Sequence, residues 1–364
     1  MLPKKVCIVG ISLAVGGAER SMATLSKMLS ESLFEVHVAI LKDQIDFQYS
    51  GTLLNLGKTG LLPKTFLNRF FKMLHLRSYI KKNSISCVID NRPKNNYLKE
   101  LFYQKLVYRG IKVIYVVHSS RQETHFKDKR LIQLFKANFA NVCVSEYIEK
   151  EILNKNGIEN TRTIHNAYNM AYEKLVKEND KPELPNKPYF LFYGRLQNAV
   201  KNLTFLLDAF EYSNVWKNGV ELLILGNGKD KELLQQKARG LDCHEFVCFL
   251  PYTKNPYPYI ANARSVVLTS NYEGFPMVLI EALSLGTPVI SLDIISGPSE
   301  IIQDTKNGIL VPANGKVETF SESMKTMVYD QVFYDSCKQN AATSVERFSM
   351  ENISRQWRKL LETL

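Results

Sequence analysis

Eleven short, continuously apolar runs recur along this chain: VCIVGI (6–11), VHVAIL (36–41), CVID (87–90), VIYVVH (113–118), VCVS (142–145), FLFYG (190–194), ELLILG (221–226), VCFL (247–250), SVVLTS (265–270), PVISL (288–292) and GILVP (308–312). A strand with one wet face alternates apolar and polar residues. A continuous run marks a parallel strand covered on both faces. Helical periodicity fills gaps between the runs at 20–33, 202–210, 229–238 and 277–285. The strand–helix alternation predicts α/β architecture with doubly wound parallel sheets.

The pattern breaks once, at MAYEKLVKENDKPELPNKP (170–188), which is charged, contains three prolines and lacks an apolar period. It reads as an interdomain linker. With 364 residues, 45% of them hydrophobic, the chain can build two cores. The expected division is an amino-terminal Rossmann-like domain over 1–170, a linker over 171–188, a second such domain over 189–345 and a terminal helix over 346–364. That last segment, FSMENISRQWRKLLETL, is amphipathic, with Ser349 as an N-cap candidate and Trp357 on its apolar face.

No run has the ~20 apolar residues of a membrane span. The opening MLPKKVCIVGISLAVGGAER reads as a strand entering a Gly-Gly turn, not as a signal peptide. The six cysteines form no CxxC pair, which favours reduced thiols and a cytoplasmic location. Cys243, His244 and Cys248 lack a fourth ligand nearby and are read as an ordinary loop beside a strand. Charge is lopsided: residues 1–180 carry a net +12 and residues 181–364 a net −1. The basic half is expected to meet an anionic partner. With no RNP motif or recognition helix, nucleic acid is not that partner.

The densest chemistry lies in NYEGFPMVLIEALSLGTPVIS (271–291). Glu273 and Glu281 are eight positions apart, one in a loop and one inside a helix. Gly274, Phe275, Pro276 and Met277 between them lead into the helix start, where backbone N–H groups and the dipole favour phosphate. Gly16 and Gly17 form a turn into a helix after the first strand. His118 ends a strand, where ligands of open α/β sheets sit. Arg195 and Lys201 follow FLFYG and suit a diphosphate, one as a planar fork and one as a point charge. Gly226 belongs to a further strand-to-helix turn, LGNG.

Taken together, EGFPMVLIE with ALSLGTPVIS, SGPSEII and NGILVP, preceded by GGAER, His118, VSEY, FYGRL with Lys201 and LGNG, resembles family 4 retaining glycosyltransferases. That resemblance implies the GT-B fold: two Rossmann-like domains facing across a cleft, with the last helix crossing back to the first domain. It implies a UDP-sugar donor, a transferred hexose or N-acetylhexosamine, and a glycan or lipid-linked acceptor in bacterial surface-polysaccharide synthesis. The alternatives are a GDP-mannose-dependent mannosyltransferase and a GT-B nucleotide-sugar epimerase. By the same resemblance Glu281 holds ribose hydroxyls, Glu273 faces the donor sugar, and Gly274 to Met277 offer backbone contacts. Arg195 and Lys201 clamp the diphosphate, Gly16 and Gly17 meet it from the first domain, and His118 lies beside the C6 hydroxyl. No DxD-type pair stands at a strand end, so no metal or cofactor is implied. The spacer LQNAVKN is longer and less acidic than in many relatives, which bears on the register of Lys201.

Residues 61–83, LLPKTFLNRFFKMLHLRSYIKKN, mix Phe66, Leu67, Phe70, Phe71, Met73, Leu74 and Ile80 with Lys64, Arg69, Lys72, Arg77, Lys81 and Lys82. This composition suits an interfacial helix on an anionic membrane, or a core helix with a solvated basic face. The first reading implies a peripheral enzyme on the cytoplasmic face of the inner membrane.

Overall fold

A computed structural model describes residues 4–14, 16–32, 34–58, 66–168, 172–176 and 184–364. The chain divides into two compact units, Met1–Ala167 with Met350–Leu364, and Tyr168–Ser349. Much of the expected linker, including 177–183, lies outside the described residues. Within it, Tyr172–Val176 is a short helix, and Tyr172 stacks on Tyr257 with ring centroids 4.3 Å apart.

The first unit contains a seven-stranded parallel sheet. Its strands are β1 (Lys4–Gly10), β2 (Phe34–Ile40), β3 (Thr52–Asn55), β4 (Cys87–Asp90), β5 (Lys112–Val117), β6 (Ala140–Cys143) and β7 (Thr161–Thr163), in the order β3-β2-β1-β4-β5-β6-β7. Helix α1 (Gly17–Ser30) packs Met22, Leu25, Met28 and Leu29 inward. The terminal helix Met350–Glu362 belongs to this unit and buries Ile353, Trp357 and Leu361. Its Ser354 hydroxyl lies 3.4 Å from the Met28 carbonyl of α1, and Lys4 Nζ donates to the Leu361 carbonyl at 3.2 Å.

The second unit holds six parallel strands: β8 (Tyr189–Tyr193), β9 (Glu221–Leu225), β10 (Val247–Leu250), β11 (Ser265–Leu268), β12 (Val289–Asp293) and β13 (Gly308–Pro312), in the order β10-β9-β8-β11-β12-β13. Phe190, Phe192, Leu222 and Ile224 form its core with Leu206, Phe210 and Met324 from flanking helices. All six cysteines are free thiols, and burial pushes Cys243 up to about 12.

Two strands, β3 and β7, are absent from the sequence reading. Both are short edge strands, TLLN and TRT, with mostly half-exposed residues. An edge strand can be short and polar because only one side is paired, so it leaves no apolar run to detect. In each sheet the strand order reverses at one place, between β1 and β4 and between β8 and β11. Ligands of open α/β sheets bind beyond the carboxyl ends of such strands.

Candidate active site

In the second unit the loops after β8 and β11 carry the expected residues. Arg195 follows Gly194 and is exposed, and the spacer closes into a helical turn over Asn198–Lys201. Asn202 then takes a left-handed conformation, φ +49°. Three hydrogen bonds fix this turn: Asn198 N–H to Asp230 Oδ2 at 2.7 Å, Asn271 N–H to the Val200 carbonyl at 2.8 Å, and Thr269 Oγ1 to the Lys201 carbonyl at 3.1 Å. The turn is thereby anchored to the loop that holds Glu273. Lys201 Nζ lies 2.6 Å from Glu273 Oε1, and the Ser270 hydroxyl donates to the same oxygen at 2.7 Å. With side chains 17% and 16% exposed, the pair is partly desolvated but still open to a ligand. A charge-assisted contact this short is strong and sets both side-chain directions.

The Glu273–Met277 loop is also fixed from behind. Gly297 of the SGPSEII segment has φ +97°, and a Cβ there would come 2.3 Å from Pro276 Cδ. Only glycine permits both the angle and the approach. Ser296 Oγ donates to the Gly274 carbonyl at 2.8 Å, and Phe275 sets its ring against Phe348, centroids 5.4 Å apart. Gly226 does the same on the other side: its φ is +150°, and a Cβ would come 2.0 Å from the Gly194 carbonyl oxygen. The turns after β8 and β9 therefore touch backbone to backbone.

The helix Met277–Ser284 starts at Pro276, with no side chain capping its amino end. One turn on, Glu281 is 1% exposed. The Tyr193 hydroxyl, from the end of β8, lies 2.8 Å from Glu281 Oε2 and 3.0 Å from the Val278 carbonyl. Glu281 is thus a buried carboxylate with the Tyr193 phenol among its partners.

In the first unit, Gly16 immediately precedes α1, and Val15 lies outside the described residues. His118 follows β5. Its Nε2 is 2.7 Å from Asn91 Oδ1, and Asn91 Nδ2 donates to the Ala18 carbonyl in the first turn of α1 at 2.8 Å. Burial, and then the charges of Lys94 and His125, push the His118 imidazole down to about 3. The ring is neutral at physiological pH and is not a general acid there.

Behind Asn91 lies a buried charge cluster. Arg92 Nη2 contacts Asp90 Oδ2 at 2.6 Å and Glu100 Oε2 at 2.9 Å, and Arg92 Nε reaches Asp90 Oδ1 at 3.0 Å. Lys94 Nζ lies 3.1 Å from Asp90 Oδ1, the Tyr108 hydroxyl donates to Asp90 Oδ2 at 3.0 Å, and the guanidinium stacks 3.5 Å from the Tyr103 ring centroid. Burial alone would raise the Asp90 carboxyl, but Arg92 and then Lys94 outweigh it and hold it well below its ordinary value. These bonds fix the backbone on both sides of Asn91. Tyr193, Ser270, Ser296 and Asn91 were not identified from the sequence. The available signal was position alone, since each sits at or just beyond the carboxyl end of a strand.

Two family models match the chain almost end to end. Glycosyltransferase Family 4 matches residues 15–172, and Glycosyl transferases group 1 matches residues 174–344. The chain belongs to glycosyltransferase family 4. It is 28% identical to the N-acetylgalactosamine-N,N'-diacetylbacillosaminyl-diphospho-undecaprenol 4-alpha-N-acetylgalactosaminyltransferase of Campylobacter jejuni, over 98% of this chain and 99% of that one. It is 26% identical to the amylovoran biosynthesis glycosyltransferase AmsD of Erwinia amylovora, over 98% of each. The crystal structure of Anabaena HepE with UDP and glucose superposes with a TM-score of 0.81 at 17% identity, covering 99% of this chain and 100% of that one. Staphylococcus aureus TarM, in a crystal structure containing UDP, gives 0.78 at 16% identity, covering 98% and 99%. The family 4 enzyme described here therefore has the GT-B fold, and it is a hexosyltransferase by class.

Proposed function

We propose that this glycosyltransferase moves a hexose or N-acetylhexosamine from a UDP-sugar, with retention at the anomeric carbon, to a glycan or lipid-linked acceptor of a bacterial surface polysaccharide. The Lys201–Glu273 contact carries the reading, with buried Glu281 one turn into the helix that follows the Glu273 loop. Glu273 accepts from sugar hydroxyls while Lys201 neutralises its charge and remains within reach of a phosphate. Glu281 accepts from ribose hydroxyls, and the uncapped helix start at Met277 favours diphosphate. The Campylobacter relative is named for a diphospho-undecaprenol-linked acceptor, which supports a lipid-linked acceptor here.

In the proposed reaction the bond from C1 to the β-phosphate oxygen breaks and a bond from the acceptor oxygen to C1 forms on the same face. The acceptor proton passes to the departing phosphate, so no protein base is required. Arg195 and Lys201 stabilise the charge that develops on the diphosphate, the work a metal ion does in other transferases. Turnover should persist in EDTA; loss that added Mg²⁺ restores would overturn metal independence.

A thermal-shift series separates donor classes. UDP at 100 times its Kd should stabilise the protein by about 2.7 kcal/mol. A preference for GDP would replace the UDP reading with the mannosyl one. In Glu281→Ala, loss of hydrogen bonds to a charged group costs about 1.5–3 kcal/mol, so UDP should bind roughly 10–150-fold more weakly. In Glu273→Ala the UDP shift should be nearly intact.

A peripheral position on an anionic membrane is the second part of the proposal. Helix α2 (Phe66–Lys82) buries Leu76 and Ile80 yet leaves Phe71 58% and Leu74 38% exposed, and Lys81 and Lys82 at its last turn are exposed too. Lys72 and Arg77 hold the Leu41 and Val107 carbonyls at 3.2 Å, so they serve the fold as well. The clean test changes the exposed Arg69, Lys81 and Lys82 to Glu. At about 1 kcal/mol per basic residue, sedimentation with anionic vesicles should weaken by roughly two orders of magnitude. Unchanged sedimentation would remove the membrane role. Among the described residues no helix is long and apolar enough to cross a membrane.

A further inference from the structure

We propose that a groove at the amino-terminal edge of the first unit's sheet binds the phosphate of an anionic lipid head group. The groove encloses about 690 Å³ between the turn at Tyr103–Val107, the start of β5 and the loop that leads into β6. Small-molecule sites occupy ~300–1,000 Å³. Lys112 is the first residue of β5 and lines the groove, whereas His118 follows the other end of that strand. The six residues of β5 span about 20 Å, so the groove is distinct from the candidate active site.

The local chain builds this concavity. Residues Tyr103–Val107 form a π-helical turn, in which the Tyr108 N–H reaches back five residues to the Tyr103 carbonyl at 2.8 Å. Such wide turns are rare and recur at functional sites. Gly110 then leads the chain into β5 with φ +79°, a left-handed angle that favours glycine. Tyr108 is buried, and its bond to Asp90 pins the floor of the groove to the charge cluster. Gln104 Nε2 donates to the Leu134 carbonyl at 2.9 Å and ties the turn to the helix before the far wall. Three cations also line the groove, Lys105, Arg109 and Lys112, all exposed, and no carboxylate lines it. Among the described residues Lys105 and Arg109 form no ion pair, and Lys112 approaches only the Phe139 ring, 4.8 Å from its centroid. Other exposed cations of this unit do have carboxylates, as in Arg121–Glu123, Arg130–Asp128 and Lys150–Glu146. Unmatched cations around one concavity focus a positive potential and favour an anion with several acceptor oxygens. A phosphate supplies them, and a guanidinium such as that of Arg109 takes two at once.

The surroundings of the groove decide for a lipid over a free anion. Leu106, next to Lys105, is exposed, as are Leu98 in the preceding helix and Phe71 and Leu74 of α2. These are four of the eleven large apolar side chains exposed among the described residues, gathered within one stretch of the fold. Phe70 of α2 packs on Phe102 with ring centroids 5.6 Å apart, and Arg77 of α2 holds the Val107 carbonyl of the π-helical turn, so the elements share one surface. Lys82 ends α2 five residues before Cys87, which pairs with Lys112 across β4 and β5. The basic end of α2 and the groove therefore lie at the same edge of the sheet. Apolar side chains ringed by cations suit the head-group boundary of an anionic membrane, whereas a dissolved phosphate needs no apolar surround. The inference rests on the membrane part of the proposed function and adds to it a defined phosphate site.

The test sediments the full chain with phosphatidylcholine vesicles that carry either phosphatidylglycerol or oleate at matched surface charge. The wild type should prefer the phosphatidylglycerol vesicles by roughly tenfold or more, the worth of one hydrogen bond to a charged group. Equal binding to the two vesicles would overturn the proposal. Ala137→Trp fills the groove from an exposed position without changing charge, and it should abolish the preference while leaving binding to oleate vesicles intact. The triple change Lys105→Gln, Arg109→Gln and Lys112→Gln should abolish the preference and weaken sedimentation by roughly two orders of magnitude. A preference that survives both variants would overturn the groove assignment. All four positions are exposed, and should a variant fail to fold, the wild-type comparison still decides. Glycerol 3-phosphate at fixed ionic strength should compete with the phosphatidylglycerol vesicles, and tight binding of it without any vesicle preference would assign the groove to a soluble phosphate instead. Reversing Arg69, Lys81 and Lys82 should weaken both vesicle types and keep the preference. Sedimentation that depends on those three residues but shows no preference would sink the groove alone, and no sedimentation with either vesicle would sink the membrane reading with it. The UDP thermal shift should stay unchanged in every variant.

Discussion

Glu273→Ala and Lys201→Ala should each lower kcat/KM by roughly 10²–10³-fold, and the double substitution should cost little more than either alone. The scale is that of removing one preorganised electrostatic group from a transfer site, about 2.7–4 kcal/mol. Non-additivity follows from the 2.6 Å contact between the two side chains. Without Lys201, Glu273 keeps the Ser270 hydroxyl but loses the ammonium 2.6 Å away, and a carboxylate beside a diphosphate repels it. Without Glu273, Lys201 loses the anchor that aims its ammonium. Each single change therefore removes most of what the pair does. A double-mutant cycle on steady-state rates reads this directly. Full additivity would show that the two groups act on separate parts of the substrate, and the paired site would be wrong. Glu273→Gln makes a useful third arm: it keeps an acceptor oxygen for sugar hydroxyls but discards the charge. If neutralising Lys201 is the main task of Glu273, Glu273→Gln should behave like Glu273→Ala.

Arg92→Ala should destabilise the protein by about 3–5 kcal/mol, the usual cost of leaving a buried charge without its partner. The change takes the guanidinium away from Asp90 and Glu100, both fully buried, and leaves only Lys94 beside Asp90 and the partly exposed Lys99 beside Glu100. Chemical denaturation of the first unit is the measurement, and a loss under 1 kcal/mol would show that water or rearrangement rescues the cluster. The pH dependence has two parts. Asp90 has a depressed folded-state value, so its contribution is present above the unfolded carboxyl range near pH 4 and is lost as pH falls further. Burial pushes Lys94 down to about 8. A lysine so depressed penalises folding while it must carry a proton. That penalty shrinks as pH rises from about 8 toward the unfolded lysine value near 10.4. Unfolding free energy should therefore fall in acid and gain a shallow increment above pH 8 in the wild type. The increment should be absent in Lys94→Met.

The sheets were legible because burial on both faces leaves a continuous apolar run, and each of the eleven runs overlaps a strand. Placing candidates at strand ends followed from the same logic. Arg195, Lys201 and Glu273 occupy the loops beyond β8 and β11, where the strand order reverses. Pairing was not legible. Lys201 and Glu273 are 72 positions apart, and nothing local says that the Asn198–Lys201 turn is tied to the β11 loop. Tyr193 looked like the apolar end of FLFY, and only the fold shows its hydroxyl on Glu281, 88 positions away. Asp90 looked like the last residue of a buried strand. That reading was right about its burial but silent on the cations that make burial tolerable. Glu281 was easier, because a carboxylate inside the apolar helix MVLIEALS has little reason to be there unless something binds it.

The ends of the second unit meet. The Tyr168 N–H donates to the Phe348 carbonyl at 3.1 Å, and Tyr168 bridges Ser349 in parallel. The chain thus enters and leaves this unit through one doorway, and topologically the unit is a cassette inserted into the first. The helix that follows, Met350–Glu362, returns the chain to complete the first unit's packing on α1. A protein built this way can exchange its second unit by two cuts at adjacent points, leaving the host fold with both edges of the wound side by side. Recombination between relatives at 167/168 and 349/350 would exchange that whole unit without redesigning either core.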